Sequence, residues 1–528
     1  MHSDSTTRAF VLGLDGVPWG MLRTWIDDGH LPNFKRLADE GASGSLRSTR
    51  PASTPLAWPS IATGVWPDKH SVYDFRHLNG DYRRQMNTSE NVERPSLWNI
   101  LSPAVVGNVP ITYPASEIDG AMVTGMLTPE INDRFTHPPK LRQKIENEIP
   151  DYTIGLYYEE YHDRKDEFVT AVDELVEGRR KLLSLLMNEV DDWRLFFFVF
   201  TAPDRLQHLI WNEETLLAHY RLLDTVLGDV LRYVEETDST LYVVSDHGFG
   251  PIDKYACANT LLEQEGVLVR KDDGTRGALG RVGLTKDRIT GLFDAMNIDM
   301  GELIKRLPGD LVDSVASQVP GDHALYDADF SKTKAFVHGS GLVYVNDTER
   351  FSEGCVPPEE VPAVRERLVE IFESYRDPET GEAVFEAFDG GEEYPNDAWA
   401  PDVVLEGQPG YEVRASLSET VCIASSHLEA SHRPEGIFYA WGPDIAPGAT
   451  VDDATVVDVA PTLLHGVGEP VPEDTDGRVL LEAFKQDSTP ATREVEYAPY
   501  SEVGRSDAEE TEDFSGVEDR LKGLGYME

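Results

Sequence analysis

Several apolar runs in this chain end in residues that can do chemistry. Ala9–Leu14 leads into Asp15, Leu195–Phe200 leads into Thr201–Asp204, and Leu241–Val244 leads into Ser245-Asp246-His247-Gly248. In Asp204-Arg205-Leu206-Gln207-His208 the i, i+4 spacing puts a carboxylate and an imidazole on one helix face, where both could hold one cation. Ser431-His432-Arg433-Pro434-Glu435-Gly436 adds a third imidazole, just before the apolar run Gly436–Trp441. In Arg50-Pro51-Ala52-Ser53-Thr54-Pro55 the Thr-Pro pair predicts a helix with Thr54 at its N-cap, ending near Gly64. A hydroxyl there sits at the positive end of the helix dipole, which suits a phosphate. Taken singly, each feature has an ordinary explanation: a helix cap, a surface Asp/His pair, a charged turn. Together they supply three aspartates, three histidines and one hydroxyl near predicted strand ends. Such oxygen and nitrogen donors suit Zn²⁺, Mn²⁺ or a similar divalent ion. Two such ions about 4 Å apart could clamp a phosphoryl group and activate the hydroxyl.

Unbroken apolar runs separated by amphipathic stretches read as parallel strands buried on both faces. In open α/β sheets, sites gather beyond the carboxyl ends of the strands. Three of the runs obey that rule; His432 instead lies upstream of its run. Leu31–Glu40, Asp166–Asn188 and Glu213–Glu236 read as helices, the last with apolar residues at three- and four-residue spacing. The chain divides into a first core segment over 1–265, with a helical insertion at about 129–190, a cap over 266–395, a second core segment over 396–486, and a tail over 487–528. The cap carries Gly-rich turns, a mixed segment around Ile289–Leu307 and a hairpin-like stretch near Phe336–Val345, and is expected to close over the site. Residues 487–515 are acidic and expected to be loose, and the terminal RLKGLGYME is expected to dock as a short helix.

At 528 residues, 40% hydrophobic, the chain can bury a large α/β core. Its 95 acidic and 47 basic residues give a formal net charge of −48, spread along the whole length. At molar salt the Debye length falls to ~3 Å and the self-repulsion is screened, so the charge fits adaptation to a salt-rich cytoplasm, as in halophilic archaea. The same charge argues against binding nucleic-acid polymers or anionic membranes. Cys257, Cys355 and Cys422 are far apart with no C-x-x-C spacing, so neither a disulfide framework nor a thiolate metal site is indicated. No secretory leader and no run of about 18 apolar residues is visible, and a cytoplasmic location is expected. Nothing in the sequence fixes the oligomeric state.

The strings VLGLDGV, STPLAWPSIATGVWPDKHSVYDF, NVPITYPA, MVTGMLTP, TAPDRLQHLIW, VVSDHGFG, SHRPEGIFYAWGP and DVAPTLLHGVGEPVPEDTDGRVL resemble the alkaline phosphatase superfamily. Within it they resemble the type I phosphodiesterase and nucleotide pyrophosphatase-like branch, including predicted phosphohydrolases and phosphomutases. The likeness runs from about residue 8 to 265 and from about 400 to 482. It implies an α/β fold: a largely parallel central sheet with helices on both faces, plus an inserted cap. It also implies two divalent ions, Zn first and Mn or Mg as alternatives. Asp15, Asp246 and His247 would hold one beside Thr54; Asp204, His208 and His432 would hold the other. Thr54 would form a phosphothreonine with a small phosphorylated substrate, and water would then release phosphate.

Two departures narrow this. Sulfatases of the superfamily need C/S-x-P-x-R, and Ala57 stands where that Arg belongs. Nucleotide pyrophosphatases place an Asn that holds a phosphate oxygen where this chain has Phe75; Arg76 or Asn79 could substitute, the alternative for each being an ordinary surface residue. Asp74, Lys332 and Tyr344 are further candidates for contact with substrate, and His427 is a rival to His432 as a ligand. His70 is expected to be structural. The same intermediate would also serve a phosphomutase or phosphoglycerol-type transferase. A non-catalytic binding protein on this scaffold is disfavoured, because every ligand position and the nucleophile are filled.

Overall fold

The computed structural model describes residues 7–271, 328–499 and 514–522. The mixed segment around Ile289–Leu307 and the end of the terminal string lie outside the described residues.

A ten-stranded mixed sheet forms the backbone of the molecule. Ala9–Leu14 lies at its centre, parallel to Leu195–Phe200 on one side and to Thr240–Val244 on the other. Beyond Leu195–Phe200 follow Ala104–Gly107 and Gly120–Val123, both parallel, and the short antiparallel edge Thr136–His137. On the other side Glu435–Trp441 runs antiparallel between Thr240–Val244 and Ala42–Arg47, and Ala449–Thr450 and Ala454–Thr455 pair parallel with Ala42–Arg47. The unbroken apolar runs have a direct cause. Side chains alternate between faces along a strand, and both faces of this sheet are covered. Phe10, Leu12 and Leu14 join one hydrophobic core, while Ala9 and Val11 join the core on the opposite face. Leu195–Phe200 divides the same way, with Phe196, Phe198 and Phe200 on one side and Leu195, Phe197 and Val199 on the other.

The first core takes the helices Trp19–Asp27, Pro32–Glu40, Lys165–Met187 and Glu213–Thr237; the second takes Thr54–Thr63 and Val459–Val467. Three of these fall within a residue or so of the spans read from apolar spacing. Glu213–Thr237 starts where it does because Asn212 caps it, its side chain accepting the Thr215 N–H at 3.0 Å.

A second sheet builds the cap: Ala335–His338, Leu342–Val345, Val403–Gly407 and Phe385–Asp389, in that spatial order and all antiparallel. The helix Val361–Ser374 packs on it, and Phe336, Val343, Phe372, Phe385 and Val403 belong to a third, separate hydrophobic core. One inner strand of this sheet, Val403–Gly407, comes from beyond residue 395, where the sequence reading ends the cap. The long strand Gly248–Cys257 joins the two bodies. Its first residues pair with Ala430–Arg433 and its last with Gly410–Arg414. The acidic stretch after 487, expected to be loose, contains the helical turn Thr489–Thr492 and the strand Tyr497–Ala498, which pairs with Val471–Pro472. The helix Ser515–Lys522 docks through Val517 and Leu521 in the first core, and Arg520 Nη2 donates to the Thr128 carbonyl at 2.6 Å. Among the described residues no helix is long and apolar enough to cross a membrane.

Candidate active site

Three strand ends of the large sheet converge. The Asp15 N–H donates to the Phe200 carbonyl at 3.0 Å, pinning it where its strand stops. Gly16 follows in the left-handed region, with φ +72°, and a Cβ there would lie 3.0 Å from Asp204 Cα, so glycine serves both the turn and the close approach. Its N–H donates to Asp246 Oδ1 at 3.2 Å, and the Val17 N–H donates to Ser245 Oγ at 2.8 Å. The turns after the first and third apolar runs are thus stitched together. Gln207 Nε2 donates to the Gly16 carbonyl at 2.8 Å, tying in the helix Ala202–Leu209 that carries Asp204 and His208.

His432 arrives by a route the sequence does not announce. It sits on the short strand Ala430–Arg433, directly opposite Phe249 on the strand that begins just after His247. Its ring centroid lies 4.1 Å from that of His247 and 5.0 Å from that of His208. Phe249 packs edge-on against His208 and His432.

The helix expected around Thr54 spans Thr54–Thr63 and stops at Gly64, whose φ is +75°. Its N-cap is Ser53 rather than Thr54: Ser53 is extended, and its carbonyl accepts the N–H groups of Leu56 and Ala57. Thr54 is therefore the first helical residue, and its side chain faces the cluster, with Oγ1 3.2 Å from His247 Nε2 and 3.4 Å from Asp15 Oδ1. One turn later Trp58 donates its indole N–H to Asp15 Oδ2 at 3.2 Å. Trp58 was not singled out from the sequence, although its i+4 position from Thr54 is visible there.

The donor atoms interlock. His208 Nε2 is 3.4 Å and His432 Nε2 is 3.3 Å from Asp204 Oδ1, and the two imidazole nitrogens are 3.2 Å apart. His247 Nε2 is 3.6 Å from Asp15 Oδ1 and 3.4 Å from Asp246 Oδ2. Ligand atoms around a tetrahedral ion with bonds of 2.0–2.2 Å lie roughly 3.3–3.6 Å apart, so these separations are those of coordination edges. Asp15, Asp246 and His247 form one group of donor atoms lying within 4.8 Å of one another, and Asp204, His247 and His432 form another. His247 thus stands between both groups.

Asp15, Asp204, Asp246, His247 and Thr54 are fully buried. Burial, then the neighbouring Asp246 and Asp204 charges, pushes Asp15 well above the usual carboxylate range. Asp246 is raised to about 7 by burial and by Asp204. Burial would also raise Asp204, but the His208 and His432 imidazoles outweigh it and hold that carboxyl well below its ordinary value. Burial and the adjacent His432 depress His247. Asp246 Oδ2 is buried and accepts no hydrogen bond among the described residues. Asp15 and Asp246, packed beside the Asp204 charge, carry a desolvation and repulsion cost that their protein donors do not offset. Divalent cations would offset it, and the mixed O/N donor set fits them.

The remaining candidates go elsewhere. Asp74, Arg76 and Asn79 line a cavity of about 360 Å³ with His338 and Tyr344, and none of the seven cluster residues lines it. Asp74, raised to about 6 by burial, accepts the Phe75 N–H at 2.7 Å. Asn79 Nδ2 donates to Gln85 Oε1 at 3.0 Å across a small hairpin. Lys332 is exposed and paired with Asp329 at 2.7 Å. His427 is exposed and stacks on His162 at 4.6 Å, away from the ligand groups. His70 is buried, bonded to Ser60 Oγ at 3.0 Å and to the Val72 N–H, as a structural histidine would be.

No curated protein sequence matches the chain. Among solved structures, the phosphonoacetate hydrolase of Sinorhizobium meliloti 1021, in complex with phosphonoacetate, superposes with a TM-score of 0.55 at 13% identity, covering 88% of this chain and 96% of that one. Murine ectonucleotide pyrophosphatase/phosphodiesterase 5 aligns over 88% of this chain and 96% of its own at 11% identity, with a TM-score of 0.48. The first likeness supports the α/β fold with its large mixed sheet. Residues 9–434, a span that holds all seven cluster residues, match the family described as type I phosphodiesterase / nucleotide pyrophosphatase, and the chain belongs to that family.

Proposed function

We propose that the chain is a two-metal phosphoester hydrolase that works through a covalent phosphothreonine at Thr54. The observation that carries this reading is the Thr54 hydroxyl, buried at a helix start and within 3.4 Å of both Asp15 Oδ1 and His247 Nε2. Asp15, Asp246 and His247 would hold one ion beside Thr54; Asp204, His208 and His432 would hold the other. Zn²⁺ suits the set best, and Mn²⁺ or Mg²⁺ are alternatives. When bound, such a pair supplies positive charge against the phosphoryl oxygens and favours loss of the hydroxyl proton.

The protein's own contribution is placement. The helix Thr54–Thr63 is buried throughout, so Oγ1 is held at a fixed point with the positive end of the helix dipole toward the phosphate. The Thr54 hydroxyl points its proton toward Asp15, whose other oxygen is fixed by Trp58. As the Thr54 Oγ1–P bond forms, the ester P–O bond breaks and the departing alcohol takes up a proton. Water then cleaves the phosphothreonine and restores the hydroxyl.

Thr54→Ala should lower turnover of aryl phosphate mono- and diesters by roughly 10³-fold or more, while Thr54→Ser retains part of it. Acid-quenched wild type should yield a peptide phosphorylated at Thr54. Near-normal rates in Thr54→Ala would remove this residue from the mechanism. The assay belongs at molar salt, where a net charge of −48 is screened, and phosphate release compared with transfer to added glycerol separates hydrolysis from group transfer.

A further inference from the structure

A cavity of about 70 Å³ opens on His208 and His432. Its far wall is made by elements packed on the cap's core: Glu406 within the cap strand Val403–Gly407, Glu412 on the adjoining strand Gly410–Arg414, and Ser340 at the tip of the cap hairpin. Glu412 is built into this wall. Its side chain is 10% exposed and Arg414 Nη2 holds one oxygen at 3.1 Å. The other oxygen, Oε2, is buried and has no hydrogen-bond partner among the described residues, and the same is true of Glu406 Oε1. Buried acceptors left this way are costly unless a donor reaches them.

Two orphaned acceptors therefore line a small chamber that begins at two of the residues read above as metal ligands. Charge narrows the occupant. Arg414 pairs with Glu412, and Arg433 also lines the cavity, its Nη1 donating to the His432 carbonyl at 2.8 Å. Two guanidinium groups balance the two carboxylates, so the chamber favours neutral donors over an extra cation.

We propose that this cavity is the subsite for the alcohol portion of the substrate, and that it selects phosphoesters of short polyols, whose free hydroxyls donate to Glu412 Oε2 and Glu406 Oε1. The proposal rests on the phosphoesterase reading above and deepens it. Hydrogen bonds from hydroxyls to buried carboxylates are among the stronger neutral-to-charged contacts and discriminate by about ten-fold or more against a ligand that lacks them.

The test is competition in the metal-loaded full-length protein. Glycerol 1-phosphate, ethyl phosphate, ethanolamine phosphate and AMP each compete against hydrolysis of bis(p-nitrophenyl) phosphate. Glycerol 1-phosphate should inhibit about ten-fold or more tightly than ethyl phosphate, and more tightly than AMP or ethanolamine phosphate. In Glu412→Gln the ratio of the glycerol to the ethyl constant should collapse toward unity, with Glu406→Gln moving it the same way. General structural damage would weaken both competitors alike and leave the ratio unmoved. Equal constants for glycerol and ethyl phosphate in the wild type, a preference for AMP or for ethanolamine phosphate, or an undiminished ratio in both variants would each overturn the proposal. Absence of any turnover of the aryl diester would instead overturn the hydrolase reading. Calorimetric binding of glycerol 1-phosphate against ethyl phosphate would still decide the subsite.

Discussion

The large sheet and the cap sheet use the same raw material to different ends. In the large sheet each central strand is one contiguous apolar run, covered on both faces, and a candidate site carboxylate follows each run: Asp15 directly, Asp246 two residues on and Asp204 four residues on. In the cap the strands are short, and one face rests on a core of its own. Its polar residues face the site from within strands, as Glu406 does, and Glu412 does the same from the adjoining strand Gly410–Arg414. A sheet clamped between two cores suits groups that must hold ions to within fractions of an ångström. A sheet with a separate core can change its lining without disturbing them. The division of labour that follows has chemistry in the core and choice of alcohol in the cap.

The sharpest way to break that division is to damage one side and read the other. Asp246→Ala removes the carboxylate whose Oδ2 lacks a hydrogen-bond partner among the described residues. It should abolish most activity, by roughly 10³-fold or more, and lower the bound metal measured by elemental analysis. The cap should keep its wild-type protection from proteolysis. Unchanged metal content would refute the assignment of Asp246 as a ligand.

The converse experiment targets the cap core. Phe372 is fully buried on the cap helix, its ring 5.2 Å from that of Phe385 in an edge-on pair. Phe372→Ala should destabilise the cap by about 3–5 kcal/mol, a cavity-forming loss that hydrogen exchange would locate in the cap strands. Metal content should stay at the wild-type level. If exchange rises equally through Ala9–Leu14 and metal is lost in step, the two sheets unfold as one unit and the proposed division is wrong.

How far the sequence revealed each side follows from the same contrast. Ala9–Leu14 and Leu195–Phe200 were legible because a strand covered on both faces has no choice but to be apolar throughout. The ligands then lie at the ends of legible elements. The helix at Thr54 was legible from Thr-Pro and Gly64, but its register was not: a cap assignment one residue off would have spent the Thr54 hydroxyl on the backbone, and only the extended conformation of Ser53 frees it for Asp15 and His247. His432 was found through its string and resemblance, since the pairing of Phe249 with His432 joins residues nearly two hundred positions apart. In the cap, Val403–Gly407 pairs with strands drawn from either side of a long helix. No local pattern marks such a partner. Lys332, a candidate for contact with substrate, is paired with Asp329 three residues before it. Glu406 and Glu412, two acids among many in a chain of this charge, carried no signal at all.

The smallest effect separates the two sides by pH. Burial pushes Glu406 up to about 7, with Arg50 partly opposing and Glu386 adding to the rise. An unfolded glutamate titrates near ~4.3, so between that value and about 7 the folded chain holds a proton that the unfolded chain has released. The group's contribution to stability is therefore fully present at low pH and is lost as the pH climbs through the folded value. Glu406→Gln cannot release that proton. In metal-loaded protein the wild type should fall behind the variant by a few degrees at most in melting temperature between mildly acidic and mildly alkaline buffer, the two curves running together on the acid side. A difference of opposite sign, with the wild type gaining on the variant as pH rises, would mean that the Glu406 charge is welcome in the cavity wall. Its Oε1 would then already be satisfied, and one of the two acceptors assigned to the substrate's hydroxyls would drop out.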